Sequence, residues 1–496
     1  MKQNKLPPGY TTERFTPGRF EEKHSVKIRG VSVPFQTIGE DCLFYSESGE
    51  AEASVFSFSY MRTGTESKGR PVMFFWNGGP GSATSTLHLE CFGPWQMDRD
   101  KSGKPVYGLK EDGDCLLDIC DLVFVDPVGV GYSRLLDPGK REKYYSVDGD
   151  ARSTAFFIVQ WIKKYNRWDS PLYLCGESYG TVRACRVLAE LGRSPYSESR
   201  MVLGIPVAGA VLIGLATSED ESGRPMEPGL DLVTAMMPSM AAVNWYHHPE
   251  GKGRLEDFVE EAWSFVKDEL LSALFEGDSC QDERVRELSG KLAFYTGMEK
   301  EYFVRNRLRL ESEEDFMLQV AADKGGRADI YDGRQLTPLQ ESYNSIGNEN
   351  VPLAVMNGLL APKLGIHMER LYYTGNLTVY PLWNFETEEV EDKRTHIQCL
   401  KAAMESNPQM HLLMASGLYD LCTFAGNTRY VLSHSGLPME RVTAREYAGG
   451  HGVYSSEEGK RQFLQDVRKM LTERKIEGMV PGQSPESEEV TVGERA

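Results

Sequence analysis

Gly176-Glu177-Ser178-Tyr179-Gly180 is the stretch of this sequence best suited to covalent chemistry. An apolar run, Leu172-Tyr173-Leu174-Cys175, precedes it, and a helical pattern from Thr181 to Leu191 follows. Strand, sharp turn and helix in that order push a serine hydroxyl out above a sheet, and the turn is tight enough to need glycine on both flanks. A serine hydroxyl is a poor nucleophile until a histidine accepts its proton and a carboxylate orients that histidine. Both follow downstream, each after a strand-like run. Leu412-Leu413-Met414-Ala415-Ser416-Gly417 leads into Tyr419-Asp420, and Val442 to Tyr447 leads into Ala448-Gly449-Gly450-His451-Gly452. The glycines around His451 let its backbone approach another loop.

Among nine histidines, the main competitor of His451 is His434, which lies between the Asp420 and His451 segments. His247 and His248 fall in a region without strand runs, and His411 sits at the wrong end of its strand. Asn77-Gly78-Gly79-Pro80-Gly81-Ser82, directly after an apolar run ending at Trp76, offers backbone N–H groups for an oxyanion, with the Tyr179 N–H as a second donor. No G-K-[ST] follows it, which excludes a P-loop, and G-x-G-x-x-G is absent. No cofactor is called for.

These residues need a scaffold. Val72–Trp76, Leu122–Val125, Leu172–Cys175, Val207–Ile213 and 411–414 read as buried strands, with helical patterns such as Ser153 to Tyr165 between them. Continuous apolar strands alternating with helices give an α/β fold with a mostly parallel central sheet. Before them, alternation in Val55-Phe56-Ser57-Phe58-Ser59-Tyr60 predicts antiparallel strands with one covered face. From 216 to 372 the pattern turns Met-rich, charged and helical, notably Leu255 to Leu274 and Asp282 to Tyr295, which predicts an inserted helical cap. The expected organisation is a loose arm over 1–25, a catalytic domain over 26–215 and 373–476, the cap over 216–372, and a disordered tail over 477–496. The last helix is expected over 456–474.

A net charge of −18 argues against nucleic acid and anionic membranes as partners. No apolar run is long enough for a bilayer span, and the first residues lack the apolar core of a secretory signal. Nine scattered cysteines without C-x-x-C make a structural zinc site a poor reading and point to free thiols in a reducing, cytoplasmic setting. No metal is expected. Oligomeric state stays open, a homodimer included.

Taken together, Trp76 to Ser82, Val125-Asp126-Pro127-Val128-Gly129-Val130-Gly131-Tyr132-Ser133, Gly176 to Gly180, Ser416 to Asp420 and Gly449-Gly450-His451 resemble the serine carboxypeptidases in motif and order. The cap around Pro238-Ser239 and Trp245-Tyr246-His247 is similar to the family's insertion. The resemblance implies an α/β-hydrolase fold and removal of the C-terminal residue of peptides through an acyl-enzyme. Ser178 would be nucleophile, His451 base and acid, and Asp420 its orienting carboxylate. Gly79 and Tyr179 would give the oxyanion N–H groups. Asn77, Gly78 and Glu177 would meet the terminal carboxylate of a peptide with a free C-terminus. Two carboxylates in contact require one to keep a proton. Eukaryotic members pair the elbow glutamate with a second one before a Gly-Pro. Here Glu90-Cys91-Phe92-Gly93-Pro94 makes Glu90 the candidate second carboxylate, one residue out of register, and Phe424 replaces a common proline. The chain looks most like a bacterial, intracellular branch. Competing expectations are an esterase or acyl transferase on the same scaffold and a catalytically dead binding protein.

Overall fold

The computed structural model describes residues 14–101, 103–193, 204–216, 230–338, 346–386 and 394–473. Nine strands form the main path of a ten-stranded sheet. They are β1 (Arg19–Ile28), β2 (Val31–Tyr45), β3 (Ala51–Arg62), β4 (Val72–Trp76), β5 (Asp121–Asp126), β6 (Leu172–Glu177), β7 (Gly209–Ile213), β8 (His411–Gly417) and β9 (Val442–Tyr447). Their spatial order is β1-β2-β3-β5-β4-β6-β7-β8-β9, and the short strand Arg134–Leu135 pairs with β3. The β1, β2, β3 and β5 pairings are antiparallel. From β5 to β9 every pairing is parallel.

The apolar runs read as buried strands are covered on both faces. Met73, Phe75, Tyr173 and Leu413 pack toward Phe463 and Val467 of the helix Glu457–Thr472. Phe74, Leu174, Leu212 and Met414 pack toward Trp161 and Leu188, from the helices Val147–Tyr165 and Tyr179–Leu191. Successive side chains of a strand point to opposite faces, so a strand covered twice must be apolar throughout. The expectation of one covered face fails for β3, which is buried from Glu52 to Tyr60. Phe56, Phe58 and Tyr60 enter one core. On the other face the Trp161 indole N–H donates to Ser59 Oγ at 2.9 Å. Serines are small enough to lie beneath a helix there.

Two boundaries move. The stretch expected as a loose arm becomes β1 from Arg19, paired along its whole length with β2; its polar side chains lie on a mostly exposed edge strand. The cap has its own core, in which the buried helix Leu232–His247 meets Phe258, Leu288 and Phe316. Val355, Met356, Leu360, Leu364 and Ile366, however, belong to the core of the main sheet, so the chain rejoins the catalytic domain before the expected residue 373. The tail over 477–496 lies outside the described residues.

The helix after Ser178 carries a buried brace. Arg183 Nε meets Asp150 Oδ2 at 2.6 Å, and its Nη1 donates to the Asn77 carbonyl at 2.7 Å. Both side chains are essentially inaccessible. Burial pushes the Asp150 carboxyl up while Arg183 holds it down. Removing one partner strands the other's charge, so Arg183→Met is expected to cost about 3–5 kcal/mol. Urea denaturation checks this, and an unchanged midpoint would refute the brace.

Candidate active site

Sheet register brings the distant motifs to one edge. Trp76 lies beside Gly176, Glu177 beside Ile213, Ile213 beside Ala415, and Gly417 beside Tyr447. The residues that follow these strands therefore converge at the carboxyl ends of parallel strands, where α/β sheets form their crevices.

Ser178 sits at φ 59°, ψ −129°, a conformation costly for any residue with a side chain. Its N–H donates to Ile213 O at 2.9 Å, which fixes the turn. The flanking glycines are required by space: a Cβ on Gly176 would lie 2.1 Å from Gly180 O, and one on Gly180 would lie 2.9 Å from both Trp76 O and its ring. The Trp76 indole N–H closes the elbow by donating to Gly180 O at 2.8 Å. Ser178 itself remains partly accessible.

His451 Nδ1 meets Asp420 Oδ2 at 2.9 Å. Asp420 is fully buried, and its Oδ1 accepts the N–H groups of Cys422 and Thr423 at 2.7 and 3.0 Å. The Thr423 hydroxyl donates to Oδ2. These donors leave the carboxylate one orientation, and with Nδ1 occupied, Nε2 is the nitrogen available for proton transfer. Burial opposes charge on His451, but Asp420 and then Glu177 outweigh it and raise the imidazole to about 9. Gly214, next to the carbonyl that anchors Ser178, lies against the same ring, its ideal Cβ 3.3 Å from Cε1. His434 is out of the contest: it ends an exposed helix turn, stacked on Tyr430.

The loop after β4 lies on the elbow. A Cβ at Gly78 would come 2.6 Å from Tyr179 N and 2.9 Å from Ser178 Cβ. Gly79, at φ +105°, is exposed. The loop is pinned from behind by Asp126, whose Oδ1 accepts the Thr84 N–H at 3.0 Å and the Tyr372 hydroxyl at 2.9 Å. Burial lifts this carboxyl to about 7.

Glu177 is buried beside the nucleophile. Its Oε1 accepts from Asn77 Nδ2 at 2.9 Å and its Oε2 from the Tyr454 hydroxyl. Asn77 Oδ1 in turn accepts the Leu87 N–H at 3.1 Å. Burial raises Glu177 to about 7, against the pull of His451 and the hydrogen bonds from Tyr454 and Asn77. Glu90 forms an ion pair with Arg99, and its charge also reaches Glu177, whose carboxyl it helps to raise. Leu87–Phe92 is a helical turn, and a one-residue offset there rotates a side chain by roughly a quarter to a third of a turn. The buried Cys91 takes the inward position. Tyr454 and Thr423 were missed by the sequence reading; each lies three residues beyond a singled-out residue, and neither spacing is diagnostic. Among the described residues, no group of three or more His, Cys, Asp and Glu side chains is placed to hold a metal ion. No helix among them is long and apolar enough to cross a membrane.

A mixed, mostly parallel sheet with helices on both faces and an elbow after β6 is the α/β-hydrolase fold. A family model described as serine carboxypeptidase matches residues 44–197. Serine carboxypeptidase-like 17 of Arabidopsis thaliana is 22% identical over 178 residues, 36% of this chain and 40% of the relative. Serine carboxypeptidase-like 1 of the same plant is 28% identical over 157 residues, 31% of this chain and 34% of the relative. The chain thus matches about 40% or less of the length of these relatives. The crystal structure of Kex1, a prohormone-processing carboxypeptidase of Saccharomyces cerevisiae, aligns with a TM-score of 0.50 over 88% of this chain and 90% of that one, at 13% identity, a likeness of fold. Residues 44–197 are thus similar to the serine carboxypeptidase family. That segment carries Asn77, Gly78, Gly79, Glu177, Ser178 and Tyr179; Asp420 and His451 lie beyond it.

Gly78→Ala is expected to force the loop off the Tyr179 amide and slow acylation of Ser178 by ~10²–10³-fold, the usual cost of losing an oxyanion donor. The rate of labelling by a fluorophosphonate probe measures it, and labelling at the parent rate would contradict the close approach.

Proposed function

We propose that this protein is a serine carboxypeptidase that removes the C-terminal residue of peptides through an acyl-enzyme on Ser178. The observation that carries the reading is the buried Asn77–Glu177 pair next to Ser178. A carboxyl raised to about 7 can meet a substrate carboxylate as a proton donor, which an ordinary glutamate cannot do at neutral pH.

In this reading Ser178 Oγ attacks the carbonyl of the last peptide bond while His451 Nε2 takes its proton. Asp420 stabilises the imidazolium that forms. The Gly79 and Tyr179 N–H groups receive the developing oxyanion, and Asn77, Gly78 and Glu177 hold the terminal carboxylate. Collapse of the tetrahedral intermediate expels the amino acid as His451 returns the proton to its nitrogen. Water then repeats the sequence on the ester. None of these steps calls for a metal. The nine free cysteines support a reducing compartment, and with it the bacterial, intracellular branch of the family.

The two titrating groups set the pH dependence. Below about 7 both Glu177 and His451 are protonated and the base is missing. Above about 9 both have lost their protons and the substrate carboxylate meets an anion. Between these limits the pair holds one proton, and the form with neutral His451 and protonated Glu177 is productive. A bell-shaped kcat/KM for blocked dipeptides is therefore expected, with its maximum between these limits and not in acid. Glu177→Gln, permanently neutral, should lose the alkaline limb while keeping the acid one. An alkaline limb that persists in this variant would sink the assignment to Glu177.

Blocked dipeptides compared with their C-terminal amides test the activity itself. Strong preference for the free acid is the expected outcome. Equal turnover of acid and amide would make the protein a general acyl hydrolase on this scaffold.

A further inference from the structure

A seven-residue segment of the cap, Asp329 to Gln335, lies across both loops that carry the charge-relay pair. Its backbone binds the residues on either side of Asp420: the Leu421 N–H donates to Ile330 O at 3.0 Å, and the Gly333 N–H donates to Tyr419 O at 2.9 Å. It also binds the histidine directly, since the His451 N–H donates to Tyr331 O at 2.6 Å. A Cβ on Gly450 would lie 2.2 Å from that same carbonyl, so glycine before His451 is a condition of the contact.

Arg334 repeats the bridge with its side chain. Asp332 holds the guanidinium through Nε and Nη2, at 2.8 and 2.6 Å. The guanidinium lies 4.5 Å above the Tyr419 ring, next to Asp420. Its Nη1 donates to Ala448 O at 3.2 Å and its Nη2 to Ser455 Oγ at 3.3 Å, on the two sides of His451. Ser455 Oγ in turn accepts the Gly450 N–H at 3.1 Å. The segment is tied to the cap by the imidazole of His247, whose Nε2 meets Gly333 O at 2.8 Å. Asp329 Oδ1 shapes its turn by accepting the N–H groups of Tyr331 and Asp332, at 2.8 and 3.2 Å.

We propose that Asp329–Gln335 is a positioning clasp, in which Arg334, fixed by Asp332, holds the Asp420 and His451 loops at the separation that keeps carboxylate and imidazole paired. Asp420 and His451 come from loops after adjacent strands, which the Leu418 and Tyr419 N–H groups tie to Tyr447 O and Gly449 O, both at 3.0 Å, where the loops leave the sheet. The clasp grips residues 419, 421 and 451 from the cap side and fixes the loops beyond those ties. Arg suits this task better than Lys, because one planar fork serves a carboxylate, an aromatic face and a carbonyl together. Arg334 is thus a positioning residue. It lies outside the matched family segment.

This inference rests on the reading of Ser178, His451 and Asp420 as the acylating machinery. Fluorophosphonate labelling of Ser178, measured across pH on the full chain, tests both. Asp420 and Glu177 are the charged groups that raise His451, and a loosened Asp420 pairing lowers it. In the parent protein the labelling rate should rise through about 9. Arg334→Met should slow labelling by about 10- to 100-fold, the range a misplacement of around 1 Å produces. It should also move the limb down toward the ordinary imidazole value of about 6.5. Arg334→Lys should recover only part of either effect. Asp332→Asn, which loosens the guanidinium without removing it, should move the limb in the same direction and serves if Arg334→Met does not fold. A parent protein that fails to label would overturn the acyl-enzyme reading itself. A parent that labels, with variants that label at its rate and with its limb once the folded fraction is measured, would leave the segment a structural tie of the cap and overturn the clasp.

Discussion

The absence of room at the elbow governs the rest of the site. Gly180 O occupies the place where a side chain on Gly176 would begin, and Trp76 fills the corresponding place at Gly180. The chain can turn from β6 into its helix only with Ser178 in its strained conformation, and the strain is held by the Ile213 carbonyl and the Trp76 indole. Once the elbow is fixed, the register of β4, β6, β7, β8 and β9 decides which loops can reach it. The Asn77 loop, the Gly214 turn, the Asp420 loop and the His451 loop all leave the carboxyl ends of neighbouring parallel strands. Strain at the serine persists because several independent contacts over-determine it.

Much of this was legible in the sequence because it is local. A glycine-flanked serine after an apolar run, and an aspartate and a histidine after later runs, follow from spacing along single strands. The β4 and β9 limits follow from the same periodicity, and the last helix, Glu457–Thr472, falls within the expected 456–474. What escaped is what depends on contacts between distant segments. Arg183 and the Asn77 carbonyl are 106 residues apart, and Tyr454 and Glu177 are 277 apart. No local pattern marks either pair. Glu90 shows the complementary case: a carboxylate one step out of register on a helical turn pairs with Arg99 and acts on Glu177 through its charge. Ser59 of β3 misleads for a related reason, since polarity predicts exposure only when no helix side chain, here Trp161, is present to satisfy the hydroxyl.

The division between matched and unmatched sequence follows the same physics. Residues 44–197 hold the elbow and the glycine loop, where backbone crowding dictates residue type. Asp420 and His451 lie in loops whose geometry is set by partners elsewhere, including the cap. Such loops need only present one carboxylate and one imidazole, so away from Gly417, Gly449 and Gly450, where a Cβ has no room either, the sequence around them has more latitude.

Tyr454 joins the two halves of the site. It stands three residues after His451 on one short loop, so the segment that delivers the imidazole also delivers a hydrogen-bond donor to Glu177. A second carboxylate in that place would compete for a proton and drive Glu177 toward its neutral form. A phenol instead donates to Glu177 and favours its ionised form, against the burial that opposes ionisation. The opposing effects leave Glu177 near neutrality, where it interacts with His451 across the pocket. The base and the carboxyl group are therefore linked twice, through their mutual electrostatics and through the backbone of one loop. A displacement of that loop cannot disturb proton transfer at Ser178 without also disturbing the group beside Asn77.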